Sequence, residues 1–414
     1  MIPQRKTVKK KTMAAITAAM TERTAMLTPL LKYPGGKTKE LKYIMPALPR
    51  SIKNYYEPFI GGGAVYFSVA SDSLQNVQHY YINDRSDDLM LLYRAVGQQD
   101  PDFHAAVERI DRAWIGAGEY TALHMDELVL LFRNGIEDEE SAKDRVNAWV
   151  DDHRRQMTES FTPEYEDAQV FFGDLAKSIV RKITFLRKQT DKGTVISRDD
   201  FEGIITTAFK SSIYVYYRDL FNRMYDLNFS DGRKAALYLF IRQYAYSSMF
   251  RYSKTGKFNV PYGGMSYNNN TLESRFEYFN DEKLHQLLTN TTMGNEDFEQ
   301  FMHEYQPETG DFIFLDPPYD TDFSTYANNE FGQSEQERLA QYLINESVAN
   351  WMLVIKNTEL ISSLYPADQE TANGQKIYLN AFDKSYLVNF KNRNDKDVEH
   401  LLITNYEVPN QKFM

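Results

Sequence analysis

The chain contains no cysteine and only seven histidines among its 414 residues. The first absence excludes a disulfide scaffold, a thiolate zinc site and a cysteine nucleophile. The second argues against a histidine-built metal centre, and no metal is expected. No apolar run reaches the ~18 residues needed to span a bilayer. The basic N-terminus lacks the roughly 7–15-residue apolar stretch of a secretory signal. A cytoplasmic protein without a membrane partner is therefore expected. Glycine and proline number only 20 and 14, which excludes collagen-like and low-complexity classes. What remains is ordinary globular composition, 42% hydrophobic and 25% charged. At roughly 150 residues per domain, the length suggests two or three packed units. Aromatic residues reach 14%, with 29 tyrosines, which points to a stacking surface as well as a core.

The net charge of −11 hides an asymmetry. Residues 1–27 carry six bases against Glu22 and read as a basic arm, helical from Thr12 to Met26. Residues 96–200 are acidic, with 22 acids and 14 bases between 100 and 200. Residues 201–270 reverse the sign, with nine bases, four acids and ten tyrosines. Lysine and arginine for phosphates and aromatics for unstacked bases are what a nucleic-acid surface requires. A solvated basic face over core tyrosines would give the same composition. The acidic block would repel DNA and is expected to face away from it.

Residues 28–95 read as α/β. Ile52 to Phe59 and Tyr80 to Ile82 are strands, and Gly61-Gly62-Gly63 turns into a helix from Ala64 to Ala70. In 96–200, Leu123, Leu128, Leu131 and Phe132 recur at helical spacing. Gly135 and Glu137 to Glu140 mark a loop. Later strands are expected at 311–315, Trp351 to Lys356 and Leu401 to Tyr406, with a helix from Glu335 to Glu346.

Four motifs carry chemistry. In Glu57-Pro58-Phe59-Ile60-Gly61-Gly62-Gly63, a strand runs into a glycine turn and a helix. Such a turn admits a ligand to the backbone and offers helix N–H groups, though a plain structural turn would look alike. Asp84 follows the next strand, where an acid can take both ribose hydroxyls of a nucleoside. The GxGxxG of nicotinamide sites is absent, and acid-Pro-Phe-x-Gly-x-Gly suits S-adenosylmethionine better. Asp316-Pro317-Pro318-Tyr319 follows a buried strand, and its prolines fix the backbone and remove two N–H donors. The Asp316 carboxylate and the Pro317 carbonyl are both acceptors, so their natural guest is an amine with two protons. The adenine amino group is a poor nucleophile because its lone pair is delocalised into the ring. Gripping its hydrogens frees that pair for attack on a sulfonium methyl, while Tyr319 offers a face for an extruded base. Tyr33-Pro34-Gly35-Gly36-Lys37 suits a loop covering a cofactor, with Lys37 reaching its carboxylate. Arg251 to Gly263 reads as a basic, aromatic hairpin. Arg251 is placed to read a guanine edge, and Lys254 and Lys257 to hold phosphates.

With these motifs in this order, the chain resembles the Dam-like (D12 class) DNA adenine-N6 methyltransferases in their alpha arrangement. The matching stretches include Ile82-Asn83-Asp84, Asn295-Glu296-Asp297-Phe298 and Val398 to Leu402. The resemblance implies an α/β, seven-stranded, Rossmann-like S-adenosylmethionine fold with an inserted, mainly helical target-recognition region. The chain is expected to divide into the arm 1–27, a catalytic domain of 28–95 and 290–414, an acidic insertion 96–200 and a recognition domain 201–289; the arm and the insertion exceed the compact family length and inherit nothing from the resemblance. The resemblance implies cofactor contacts from Tyr33, Lys37, Phe59, Gly61, Gly63, Asp84, Asp297, Phe298 and Asp316. Catalysis would rest on Asp316, Pro317, Pro318 and Tyr319. DNA contacts would come from Tyr246, Ser247, Arg251, Lys254, Lys257, Asn259 and Pro261, with Tyr246 wedging into the duplex. Tyr33 stands where tryptophan is common, and Ser247 where the family often has asparagine. The expected activity is site-specific transfer of a methyl group to N6 of adenine in double-stranded DNA by base flipping, releasing S-adenosylhomocysteine. RNA or cytosine-N4 methylation and a non-catalytic DNA-binding role are the alternatives. A monomer is expected, with 96–200 as a scaffold or protein contact, a cognate restriction endonuclease among the partners considered.

Overall fold

The computed structural model describes residues 26–161, 168–318, 331–385 and 397–408. The arm through residue 25 and Tyr319 lie outside them. The strands are β1 (Asn54–Glu57), β2 (His79–Ile82), β3 (Thr291–Met293), β4 (Phe312–Leu315), β5 (Asn350–Lys356), β6 (Tyr378–Ser385) and β7 (Asp397–Thr404). The helices that matter here are α1 (Ala64–Ser71), α2 (Asp87–Gly97), α3 (Pro101–Leu123), α4 (Met125–Glu137), α5 (Glu139–Phe161), α6 (Ala168–Asp191), α7 (Arg198–Arg223) and α8 (Asp231–Tyr244). They continue as α9 (Glu273–Phe279), α10 (Glu282–Thr289), α11 (Phe298–Tyr305) and α12 (Gln333–Asn345). The chain forms two compact units, Met1–Met90 with Glu282–Met414, and Leu91–Asp281.

The first unit is built on one seven-stranded sheet, in the order β3-β2-β1-β4-β5-β7-β6. Neighbours are parallel except β7, which runs antiparallel to both β5 and β6. All four residues of β4 and the five central residues of β5 are buried. Continuous apolar runs of this kind belong to a sheet covered on both faces. Strand order reverses between β1 and β4. In open parallel sheets, that switch point and the carboxyl ends of its strands are where ligands bind. Glu57, Asp84 and Asp316 all stand at or just past strand carboxyl ends.

In the second unit, the acidic stretch 96–200 and the basic stretch that follows share one helical body, with α3, α7 and α8 packed together. Trp114 of α3 is fully buried against Tyr244 (ring centroids 4.2 Å) and Phe240 (5.6 Å) of α8. Helix starts are set locally. Asp100, Ser197 and Ser230 accept from backbone N–H groups three residues on, and Pro101 occupies the first turn of α3. Two expectations are corrected. Gly135 is not in a loop but inside α4, where a Cβ would stand 2.9 Å from Ile183 of α6; close helix packing, not a turn, demands glycine. The break between α4 and α5 is Asp138 alone. Leu123 is 78% exposed while Leu128 and Phe132 are fully buried, because His124, with φ −102° and ψ 17°, ends one helix and the apolar stripe is not continuous across the break. Among the described residues, no helix is long and apolar enough to cross a membrane.

Candidate active site

The glycine turn after β1 takes the strained backbone its sequence promises. Gly61 and Gly63 have φ of +46° and +72°, a region that favours glycine. The Gly61 N–H donates to Asp84 Oδ2 (3.0 Å), and the Ser86 N–H donates to Oδ1 (2.9 Å). Burial pushes the Asp84 carboxyl up, against these two backbone hydrogen bonds. The Tyr33 ring lies on the turn. A Cβ at Gly61 would stand 3.2 Å from it, and one at Gly62 3.0 Å from the Tyr33 Cβ. The first and third motifs are thus one structure.

Asn83 joins three loops. Its amide donates to the carbonyls of Pro58 (3.1 Å) and Glu296 (3.0 Å), and its Oδ1 accepts from the Glu296 N–H (2.9 Å). The motif placed Asn83 beside Asp84 without a role; in the fold it is fully buried and ties the loops after β1, β2 and β3 together.

Asp316 follows β4 and forms an ion pair with Lys37, whose side chain is 2% exposed against 21% for Asp316. Lys37 also donates to the Gly35 carbonyl (3.3 Å). The Lys37 ammonium, expected to reach a cofactor carboxylate, here meets the acid of the Asp-Pro-Pro motif. Glu57 lies buried behind this pair and accepts from the Tyr55 hydroxyl (2.6 Å). Burial holds the Glu57 carboxyl well above the usual range, and the Asp316 charge adds to this. A fully buried Gln336 donates to the Pro318 carbonyl (2.9 Å), fastening the motif to α12.

Asp297 caps α11, accepting from the Glu299 N–H (3.1 Å). Its other oxygen accepts from Arg338 (2.7 Å), which also meets Glu335 (2.6 Å) and Glu299 (3.2 Å). The guanidinium lies 4.7 Å over the Phe298 ring. That ring is buried, with Phe59 (5.6 Å) and Phe331 (5.9 Å) beside it. Arg85, Asp297, Glu299, His303, Glu335 and Arg338 line a cavity of ≈ 530 Å³. Arg338 and Gln336 are single polar residues in a helix, and no local pattern marks them.

In the helical unit, residues 251–263 form the expected hairpin. Tyr252 pairs with Phe258 and Ala245 with Tyr262, and Gly256 turns the tip with φ +75°. Arg251 spans the strands, donating from Nε to Asn259 Oδ1 (2.8 Å) and from Nη2 to the Asn259 carbonyl (3.3 Å). Lys254, Lys257, Asn259 and Pro261 are exposed. The hairpin is anchored on α7. Asn222 donates to the Phe258 carbonyl (3.0 Å) and accepts from its N–H (2.7 Å), while Tyr214 and Arg218 both donate to the Val260 carbonyl (3.0 Å each). Tyr246 is 49% exposed, and Ser247 beside it has φ +52°. Asparagine tolerates that region better than serine.

A mixed sheet with one antiparallel strand, a glycine turn facing an acid after β2, and an acid-Pro-Pro turn after β4 define a Rossmann-like methyl-transfer enzyme. The family model of the D12 class N6 adenine-specific DNA methyltransferases matches residues 33–162 and 169–380, and the chain belongs to that family. It is 24% identical to the Type II methyltransferase M.MjaIII of Methanocaldococcus jannaschii, over 91% of this chain and 99% of that one. It is 22% identical to the Type II methyltransferase M.CviBI of Paramecium bursaria Chlorella virus NC1A, over 92% and 100%. The Retron Ec67 DNA adenine methylase of Escherichia coli is 31% identical over 37% of this chain and 50% of its own. The chain is a DNA adenine methyltransferase.

Proposed function

We propose that the enzyme moves the methyl group of S-adenosylmethionine to N6 of an adenine flipped out of double-stranded DNA, at one specific site. The observation that carries this reading is the Lys37–Asp316 pair at the sheet's switch point, beside the Tyr33-covered glycine turn. Asp84 would hold the donor's ribose, and Tyr33, Phe59, Gly61 and Gly63 would shape its pocket. Asp297 and Phe298 would take its adenine. When bound, the donor supplies an electrophilic methyl on a positive sulfur.

The residues of the chain do the rest. Asp316 and the Pro317 carbonyl accept the two amino hydrogens, which localises the nitrogen lone pair. The amino nitrogen that gains the methyl would shed one proton, and the Asp316 carboxylate would be the acceptor at hand. Lys37 pairs with the Asp316 carboxylate and holds it in place. Tyr319 and Tyr246 would support the extruded base and the gap it leaves. The Type II names of two relatives support a restriction–modification setting, in which a cognate endonuclease reads the same site.

The test is transfer of a tritiated methyl group from S-adenosylmethionine to adenine-containing duplex DNA, with matched RNA as the competitor. Methyl-sensitive sequencing of DNA from expressing cells gives the site. Label in RNA alone, or in cytosine, overturns the assignment.

A further inference from the structure

The helical unit holds a cluster that methyl transfer does not use. His124 stands at the corner between α3 and α4, Glu127 lies in the first turn of α4, and His153 comes from α5. His153 Nε2 is 3.1 Å from Glu127 Oε1, and His124 Nδ1 is 3.6 Å from Glu127 Oε2. One donor atom from each of the three lies within 4.8 Å of the others. The histidine side chains are 16% and 20% exposed and Glu127 is 45% exposed, so the cluster is recessed yet open to water.

His153 Nδ1 is 2.8 Å from the Trp149 carbonyl, which only accepts, so this nitrogen carries the ring proton. In neutral His153, Nε2 then turns a lone pair toward a carboxylate oxygen, acceptor against acceptor. Something positive must sit between them, a second proton or a metal ion. A proton on His153 serves one pair. A cation serves all three donors, His124 included, whose Nδ1 stands 3.6 Å from Glu127 Oε2, beyond hydrogen-bond reach.

Trp149 orients two of the three. Its indole N–H donates to Glu127 Oε1 (2.7 Å), its carbonyl fixes the His153 tautomer, and its ring stacks on His153 at 4.2 Å and 17°. Metal-ligating histidines and carboxylates are held by outer hydrogen bonds of this kind.

We propose that His124, Glu127 and His153 bind a divalent transition-metal ion of the zinc type. Two imidazoles and one carboxylate suit zinc and its neighbours, and not magnesium or calcium. Tetrahedral ligands at about 2.0–2.2 Å from zinc lie roughly 3.3 Å apart. His153 Nε2 and Glu127 Oε1, at 3.1 Å, stand near that spacing, His124 Nδ1 lies 3.6 Å from the other carboxylate oxygen, and a water would complete the shell. The ion would staple α5 to the α3–α4 corner within the acidic stretch. Scattered histidines do not announce such a site, because the donors meet only when α5 folds back along α4.

The test uses untagged full-length protein stripped with EDTA and titrated with zinc chloride against a chromophoric chelator. One zinc per chain is expected, undisplaced by millimolar magnesium, together with a rise in melting temperature. Glu127→Gln and His153→Ala should each weaken binding at least ~10-fold and lose the thermal shift, and Trp149→Phe should weaken it by ~10-fold. Circular dichroism of the metal-free variants confirms that they fold. Absence of stoichiometric zinc, or variants that bind like wild type, overturns the site. Stability that follows pH through His153 with no zinc bound would make the contact an imidazolium–carboxylate pair and overturn it equally.

Discussion

Lys37 and Asp316, 279 residues apart in sequence, meet as an ion pair whose cation is almost wholly buried. The loop before β1 and the turn after β4 are thereby one assembly. A buried ammonium without its partner is costly, so neither residue is free to change alone.

Asp316→Ala is expected to abolish methyl transfer, lowering kcat by at least ~10³-fold, with some loss of stability from the orphaned Lys37. Lys37→Met removes the charge but not the acceptor and should cost ~10²-fold. Residues that act as a unit are non-additive, so the double variant should be no slower than Asp316→Ala. Single-turnover assays on protein shown to be folded by circular dichroism decide it. Near-wild-type turnover by folded Asp316→Ala would sink the mechanism.

Arg338 is the residue through which α12 reaches the proposed adenine pocket. It leaves Asp297 held on both oxygens and covers Phe298. Hydrogen bonds to charged groups contribute about 1.5–3 kcal/mol, less here because Arg338 is a third exposed. Arg338→Ala should therefore weaken donor binding by about 3- to 10-fold while leaving kcat nearly unchanged. Lysine should not rescue it, because a single ammonium lacks the planar fork whose two nitrogens reach Asp297, Glu335 and Glu299. Calorimetry with the donor gives the answer, and unchanged affinity in Arg338→Ala would remove Arg338 from the pocket.

What could be read in the sequence was whatever the backbone dictates locally. Glu57-Pro-Phe-Ile-Gly-Gly-Gly and Asp316-Pro-Pro announce themselves because glycine and proline constrain φ where they stand. β4 announces itself as an unbroken apolar run. β6 does not, since it pairs only with β7, and its mixed sequence Tyr-Leu-Asn-Ala-Phe-Asp-Lys-Ser carries no clean alternation. Asn83, Gln336, Arg338 and Asn222 are equally silent. Each acts through a partner far along the chain, so its meaning appears only once the fold brings them together. Gly135 misled for the same reason, because Ile183 and not a turn demands it.

Lys210 gives the helical unit a pH signature. It is 3% exposed, donates to the Trp114 carbonyl (2.6 Å) and lies 4.4 Å over the Trp114 ring. Burial lowers its pKa from 10.5 to about 8, opposed by Asp111 and Glu119. Between those values the unfolded chain binds the proton and the folded chain does not, so stability rises with pH above about 8. Each pH unit in this window is worth at most about 1.4 kcal/mol. Unfolding free energy should climb by roughly 1–2 kcal/mol from pH 8 to 9.5 in wild type relative to Lys210→Met. Urea melts across that range test it, and parallel curves would mean that Lys210 keeps an ordinary pKa.

Arg251 lies on a hairpin that Asn222, Tyr214 and Arg218 pin to α7, and its own guanidinium is held across the strands by Asn259. A pre-oriented arginine loses less entropy on binding and can meet O6 and N7 of a guanine with two hydrogen bonds, worth about 1–3 kcal/mol of discrimination. The same contacts would also arise if Arg251 only braced the hairpin, so the two roles must be separated. Asn222→Ala loosens the anchor without touching Arg251 and should lower kcat/KM on all sequences by one factor. Arg251→Ala should lower it on the cognate site but spare variants at a single base pair, flattening preference there alone. Lys257→Ala, at the exposed tip, should weaken every duplex alike and reduce the salt slope by about 1. The measurement is kcat/KM for the three variants on the cognate site and on every single-base change. If Arg251→Ala scales all substrates as Asn222→Ala does, the arginine is a brace, and the base is read elsewhere.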